Sequence, residues 1–266
     1  MDIEVIAKIH TIFNVKKWHG NDGNTIVFTN FCNLLLNLTE VQRNLIFELA
    51  ERYTWITLAE YQGRLLNIFN RINDSELVDV SKITIFPVIK PEHEDDTKSG
   101  NTVLYIIKGL KGLLPKFKTI EFEYLEQYEK LHQKDFKIKK NERVYLLDDY
   151  LGSGETVKAS VAEVLKNTSI KPEMITVISL ASQQESVEFL KEQGISLYTD
   201  FIERKGISDF YSSPELEEKV KVMQEIENLI PANHFRFGYN ESEALITLSR
   251  TPDNTFPIFW KEYKKR

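Results

Sequence analysis

"VYLLDDYLGSGET", Val144 to Thr156, decides how the rest of the chain is read. Its first residues, mostly apolar, have the composition of a buried strand. They run into two adjacent carboxylates, Asp148 and Asp149, and then into a turn of Gly152, Ser153, Gly154, Glu155 and Thr156. In "ETVKASVAEVLKN", Val157, Val161, Val164 and Leu165 fall on one side, which predicts a helix beginning near Ser153 to Thr156. A strand, an acidic pair, a glycine turn and a helix therefore follow one another without a gap.

That order suggests a ligand site. Ligands of open α/β sheets bind beyond the carboxyl ends of the strands. The first N–H groups of the helix lack intrahelical partners and lie at the positive end of its dipole, so they suit an anion. Glycines at 152 and 154 let the backbone approach closely, and Ser153 and Thr156 add hydroxyls. Carboxylates that accept from sugar hydroxyls, beside a phosphate cradle, describe a sugar phosphate. Two other readings compete. One is an acidic strand end with a flexible turn. The other is a strand whose acids hold Mg²⁺ in a nucleotide hydrolase. No G-x-x-x-x-G-K-[ST] occurs in the chain, which argues against an ordinary P-loop enzyme.

Outward from this stretch, the chain falls into three zones: 1–77, helical; 78–230, alternating; and 231–266, aromatic-rich and irregular. In the first, Thr39 and Gln42 have capping-box spacing, with Val41, Leu45, Leu49 and Tyr53 on one face. "EYQGRLLNIFNRI" reads as a second helix, and Trp18, His19 and "GNDGN" as a connecting turn. In the second zone, "KITIFPVI", "RVYLLDD", "MITVISLA" and "GISLYTD" read as strands, and "KTIEFEYLEQYEKLH" as a strand and a helix. "ESVEFLKEQG" is a helix stopped by Gly194. "SSPELEEKVKVMQEIENLIP" is another, with Ser213 as cap, Pro214 at its first position and Pro231 helping to end it. The alternation predicts an α/β fold with a layered, mostly parallel sheet.

Composition sets the outer limits. The 266 residues are 42% hydrophobic, enough for a substantial core, and carry a net charge of −6. That balance gives no strong sign of direct nucleic-acid binding. No apolar run is long enough for a transmembrane helix, so no membrane partner is expected. The first residues lack a signal-peptide pattern, and Cys32 is the single cysteine, which fits a cytoplasmic protein. The five histidines show no zinc-like spacing, and no metal-ligating set is predicted.

Val144 to Thr156 resembles the phosphoribosyl-pyrophosphate (PRPP) motif of type I phosphoribosyltransferases. The resemblance implies a three-layer sheet of that kind and binding of PRPP with Mg²⁺. It places Asp148 and Asp149 on the ribose hydroxyls and residues 152–156 on the 5′-phosphate. "TKSGNT" lies where that family has its pyrophosphate loop, which would have Lys98 supply charge and Ser99, Gly100 and Asn101 backbone N–H donors. "KDFKIKKNER" could add positive potential, although a solvated charged face explains it as well. On the base side the resemblance points to Gln183 and, in "FRFGY", to Phe237, with core packing as the alternative for the aromatic residues.

The sequence departs from the family's purine-salvage branch at Gly152, where that branch often has an aspartate, and at Tyr150, where an aliphatic residue is usual. Glu155 is expected to point away from a phosphate. No catalytic residue is assigned. The helical start, "DDYLGSGET" and the ending "TPDNTFPIFW" together resemble phosphoribosyltransferase-like proteins of bacterial conflict systems, some encoded beside retrons. This implies an antiviral-defence effector or accessory with partner proteins from such a system. A catalytically silent PRPP or nucleotide sensor, or an interaction module, is the alternative. The C-terminal segment is expected to act as a hood over the site.

Overall fold

Three helices open the chain, α1 (Ile3–Val15), α2 (Asn24–Leu36) and α3 (Glu40–Arg52), and a short strand, β1 (Thr54–Trp55), follows. The computed structural model describes residues 3–18, 24–96, 98–230 and 235–260. His19, Gly20–Gly23, Thr97, Pro231, His234 and residues 261–266, some of them named above, lie outside these. Thr39 caps α3 as its spacing predicts: its hydroxyl accepts the Gln42 N–H, and its own N–H donates to Gln42 Oε1 at 3.0 Å. The expected apolar face holds at Leu45, Leu49 and Tyr53, but Val41 is 57% exposed. Burial begins one turn later, where Leu45, Ile46, Leu49 and Ala50 form a broad stripe.

The alternating part contains α4 (Leu58–Arg71), α5 (Asp74–Leu77), β2 (Lys82–Pro87), α6 (Ser99–Leu110), β3 (Glu121–Tyr124) and α7 (Tyr128–His132). It continues with β4 (Glu142–Leu151), α8 (Glu155–Val164), β5 (Ile175–Gln183), α9 (Gln184–Glu192) and β6 (Ser196–Glu203). The five strands form one sheet in the order β3-β2-β4-β5-β6, and every neighbouring pair is parallel. Helices cover both faces, as parallel strands joined by crossovers require. On one, Val144, Leu146 and Val177 pack with Tyr128 and Leu131 of α7, Val157 and Val161 of α8 and Leu190 of α9. On the other, α4 and α6 pack against each other, and Phe69 of α4 meets Tyr145 of β4. The fold is a three-layer α/β sandwich.

The strand carrying the acids runs further than expected. Its pairing with β2 stops at Leu147, but its pairing with β5 continues to Leu151. Asp148 and Asp149 therefore lie inside a strand that has lost its neighbour on one side only. Gly194 adopts φ +70° two residues beyond the end of α9, as a stop signal should.

Beyond β6, the chain forms α10 (Glu215–Glu227) and a second short strand, β7 (Ile246–Thr247), which pairs with β1 in parallel. Ser213 does not cap α10 and Pro214 does not enter it. Pro214 occupies the cap position with no side-chain cap bond, and the Leu216 N–H donates to the Ser212 carbonyl at 3.0 Å. The helix ends at Glu227, ahead of Pro231.

The chain divides into two compact units, Leu58–Glu203 and a second made of residues 1–57 and 204–266. Thus α4, drawn with the helical zone from sequence, belongs to the sheet-bearing unit, and the two ends of the chain share the other. The core of that unit joins Ile9 and Phe13 of α1, Leu45 and Leu49 of α3 and Met223 and Ile226 of α10 to Phe237 and Phe256.

Candidate functional site

Asp148 and Asp149 stand side by side on β4 with only 5% and 4% of their surface exposed. Buried carboxylates need donors. Asp148 Oδ1 accepts the Ser99 hydroxyl at 2.6 Å and the Asp149 N–H at 2.9 Å. Asp149 Oδ2 accepts the Tyr61 hydroxyl at 2.7 Å. Burial pushes the Asp148 carboxyl well above the usual carboxylate range, and the neighbouring charge of Asp149 pushes it further. The Ser99 and Asp149 N–H bonds oppose that rise without cancelling it. The pair holds a proton more tightly than two exposed acids would.

The turn that follows is shaped for an anion. Gly154 sits at φ +85°, the left-handed region that glycine enters freely, and opens α8 with no side-chain cap. Glycine has no side chain with which to cap the first N–H groups of α8, the kind of donors that suit an anion. The loop is fastened from the neighbouring helix: Ser186 of α9 donates its hydroxyl to the Gly152 carbonyl at 2.8 Å. A side chain at 154 would also meet Lys158 Cε at 3.3 Å and Ser186 Oγ at 3.5 Å. Ser153 and Thr156 are half-buried in this turn. Glu155 is about 40% exposed at its side chain and takes an ion pair with Lys90 Nζ at 3.1 Å.

The residues after β2 reach the same place through α6. Gly100 is buried where a Cβ would stand 2.8 Å from the Leu147 carbonyl oxygen and 3.0 Å from Pro87 Cβ. The helix start therefore lies directly on β2 and β4, and this close approach brings Ser99 to Asp148. The Lys98 ammonium is directed elsewhere, to Asp96 at 3.1 Å. On that side lies a polar cavity of about 510 Å³, whose lining includes Glu94, Asp95, Asp96, Asn101 and Tyr124. Its acidic lining does not suit a pyrophosphate. Among the described residues, no group of three or more His, Cys, Asp or Glu could hold a metal ion.

The two base-side candidates lie in different units. Gln183 ends β5, is 1% exposed and stands opposite Glu203 of β6, which accepts the Tyr150 hydroxyl at 2.6 Å. Tyr150 is thus a buried polar anchor where an aliphatic residue is usual. Phe237 is buried in the other unit against Phe256, with ring centroids 6.1 Å apart. Its N–H donates to both carboxylate oxygens of Glu227, at 3.0 and 3.2 Å. Core packing accounts for its placement.

Tyr61, Ser186 and Lys90 were not legible from sequence. Tyr61 shares the apolar stripe of α4 with Leu65, Ile68 and Phe69, so its spacing speaks only of core. Ser186 lies in the first turn of α9, where a serine is unremarked. Lys90 follows β2 among other charged residues.

A family model described as PRTase-CE matches residues 15–265. Among solved structures, the chain is similar to orotate phosphoribosyltransferase from Aeropyrum pernix at 18% identity, over 54% of this chain and 71% of that one, with a TM-score of 0.35. It is also similar to APRTase from Giardia lamblia complexed with 9-deazaadenine, at 13% identity over 55% and 80%, with a TM-score of 0.33. No curated protein matches.

Proposed function

The chain belongs to the PRTase-CE family, a phosphoribosyltransferase-like group, and on that premise we propose that the β4–α8 site binds PRPP and transfers ribose 5-phosphate to an acceptor with release of pyrophosphate. The observation that carries this reading is the pairing of two buried, hydroxyl-anchored acids with a helix start that Gly154 leaves uncapped. Asp148 and Asp149 accept the ribose hydroxyls. Residues 152–156 receive the 5′-phosphate through backbone N–H groups, with Ser153 and Thr156 beside them.

Mg²⁺ fits as a companion of the substrate. It keeps several waters and favours carboxylate and phosphate oxygens, and the site offers oxygen donors without a cage of its own. The ion would be held by the pyrophosphate oxygens and water it arrives with, and would neutralise charge on that leaving group. The chain's own contribution is positioning and a fixed electrostatic environment for an oxocarbenium-like transition state. The start of α6 lies beside Asp148, and the Ser99 and Gly100 N–H groups would face the pyrophosphate, whereas the Asn101 N–H donates to the Lys98 carbonyl at 3.1 Å. Gln183, at the end of β5, is a candidate for the acceptor side.

A second reading is a catalytically silent PRPP or nucleotide sensor. Position 152 favours it: a glycine there supplies no acid or base, and its carbonyl is committed to Ser186. For the biological setting we propose a cytoplasmic antiviral-defence effector or accessory acting with partner proteins. Its support is the resemblance of the motif and both chain ends to proteins of bacterial conflict systems. No helix among the described residues is long and apolar enough to cross a membrane.

Calorimetric titration with Mg-PRPP tests the site. Replacing Asp149 by Asn should weaken binding roughly 10- to 150-fold, the equivalent of about 1.5–3 kcal/mol for one charge-assisted hydrogen bond. Changing both acids to Asn should abolish binding while circular dichroism stays native. Unchanged affinity in the folded double variant would falsify the reading. Pyrophosphate release with a panel of acceptor bases then separates enzyme from sensor.

A further inference from the structure

We infer that Tyr61 is a positioning residue of this site, holding Asp149 in the orientation from which it accepts a ribose hydroxyl. The inference rests on the phosphoribosyl reading above and assigns a role to α4, which the motif does not include. Tyr61 is fully buried among the apolar residues of that helix, where a phenylalanine would fill the same space. What tyrosine adds is its hydroxyl, and that hydroxyl donates to Asp149 Oδ2 at 2.7 Å from a residue 88 positions away. Asp148 is served in the same way by Ser99, 49 positions away, at the start of α6. Each acid thus has a hydroxyl donor from its own helix, and both helices pack against each other on one face of the sheet.

The arrangement has two chemical consequences. A donor on one carboxylate oxygen fixes the torsion of a short side chain that could otherwise swing out of register with its ligand. It also favours the ionised form of an acid whose neighbour carries the same charge. A ribose hydroxyl needs an acceptor, so both effects favour binding. Tyr61 would touch neither ribose nor phosphate and would act through Asp149.

The test is calorimetric titration of the full chain with Mg-PRPP between pH 5 and 9, for the wild type, Tyr61→Phe, Asp149→Asn and the double variant. Tyr61→Phe should weaken binding about tenfold, as loss of one hydrogen bond to a charged group would. Its acid limb should shift to higher pH, because the pair then holds its proton more tightly. Tyr61→Phe should cost much less in the Asp149→Asn background than in the wild type, since Tyr61 acts through the charged Asp149 carboxylate. 3,5-Difluorotyrosine at 61 keeps the ring and provides a more acidic donor, so the acid limb should move to lower pH; this measurement stands even if Tyr61→Phe fails to fold. Wild-type affinity and pH profile in both Tyr61 variants, with Asp149→Asn impaired, overturn the inference alone. So does a uniform loss of affinity with an unshifted profile, which marks a purely structural residue. Absence of PRPP binding by the wild type overturns the phosphoribosyl reading and this inference together.

Discussion

The hydroxyl of Ser99 donates to Asp148 Oδ1 across 2.6 Å and joins the start of α6 to the acidic pair on β4. From sequence, Ser99 is expected to offer a backbone N–H to a pyrophosphate, with no role assigned to its side chain; that side chain serves Asp148. Ser99→Ala should raise the proton affinity of the Asp148–Asp149 pair and weaken Mg-PRPP binding roughly tenfold at neutral pH. Titration at pH 6 and pH 8 checks this: the loss should be larger at pH 6.

Two glycines of α6 should respond oppositely to alanine. At Gly100 a Cβ would stand 2.8 Å from a backbone oxygen, so Gly100→Ala must displace the helix start and should destabilise by about 1–3 kcal/mol. At Gly109 nothing lies within 4 Å, so Gly109→Ala should stabilise by about 0.5–1 kcal/mol through helix propensity. Thermal unfolding of the two variants decides the point. A neutral Gly100→Ala would show that α6 does not pack on β4 as closely as described.

Stability should rise as pH falls from 8 towards 5. Burial pushes the Glu227 carboxyl up to about 7 from an ordinary value of 4.5, and Asp148 is also raised. A carboxyl whose native value is raised takes up its proton in the folded state first. Its favourable contribution is therefore complete below the unfolded value and lost as pH rises through the native one. Glu227→Gln keeps an acceptor for the Phe237 N–H and should flatten the melting-temperature profile between about pH 4.5 and 7. An unaltered profile would remove Glu227 as a cause.

The C-terminal aromatics are structural whatever else they do. Phe256 is fully buried, and the Phe259 ring lies 4.9 Å from that of Tyr53. Phe256→Ala should cost about 3–5 kcal/mol, and truncation from residue 250 should lower the melting temperature further. A truncated chain that melts as the full one does would contradict this packing.

Much of the fold follows from local chemistry. Thr39 and Gln42 cap α3 through a three-residue spacing, Gly194 stops α9 through its freedom at positive φ, and apolar runs alternate with amphipathic stretches. Such signals act over one or two turns, so the sequence by itself determined the parallel α/β order and the junction of strand, acids and glycine turn. The family match over residues 15–265 agrees with that motif. Only the tertiary structure decided what the acids touch. Tyr61, Ser99 and Ser186 meet the motif across 88, 49 and 34 positions; nothing local separates Tyr61 from a core tyrosine or Ser186 from a surface serine, and the loop that marked Ser99 did not show its bond to Asp148. Val41 illustrates the same limit: its spacing is that of a buried residue, but burial depends on what packs against a helix face. Burial, hydrogen-bond partners and the raised Asp148 carboxyl arise from groups distant in the chain, and these exist as neighbours only once the sheet and its helices have come together.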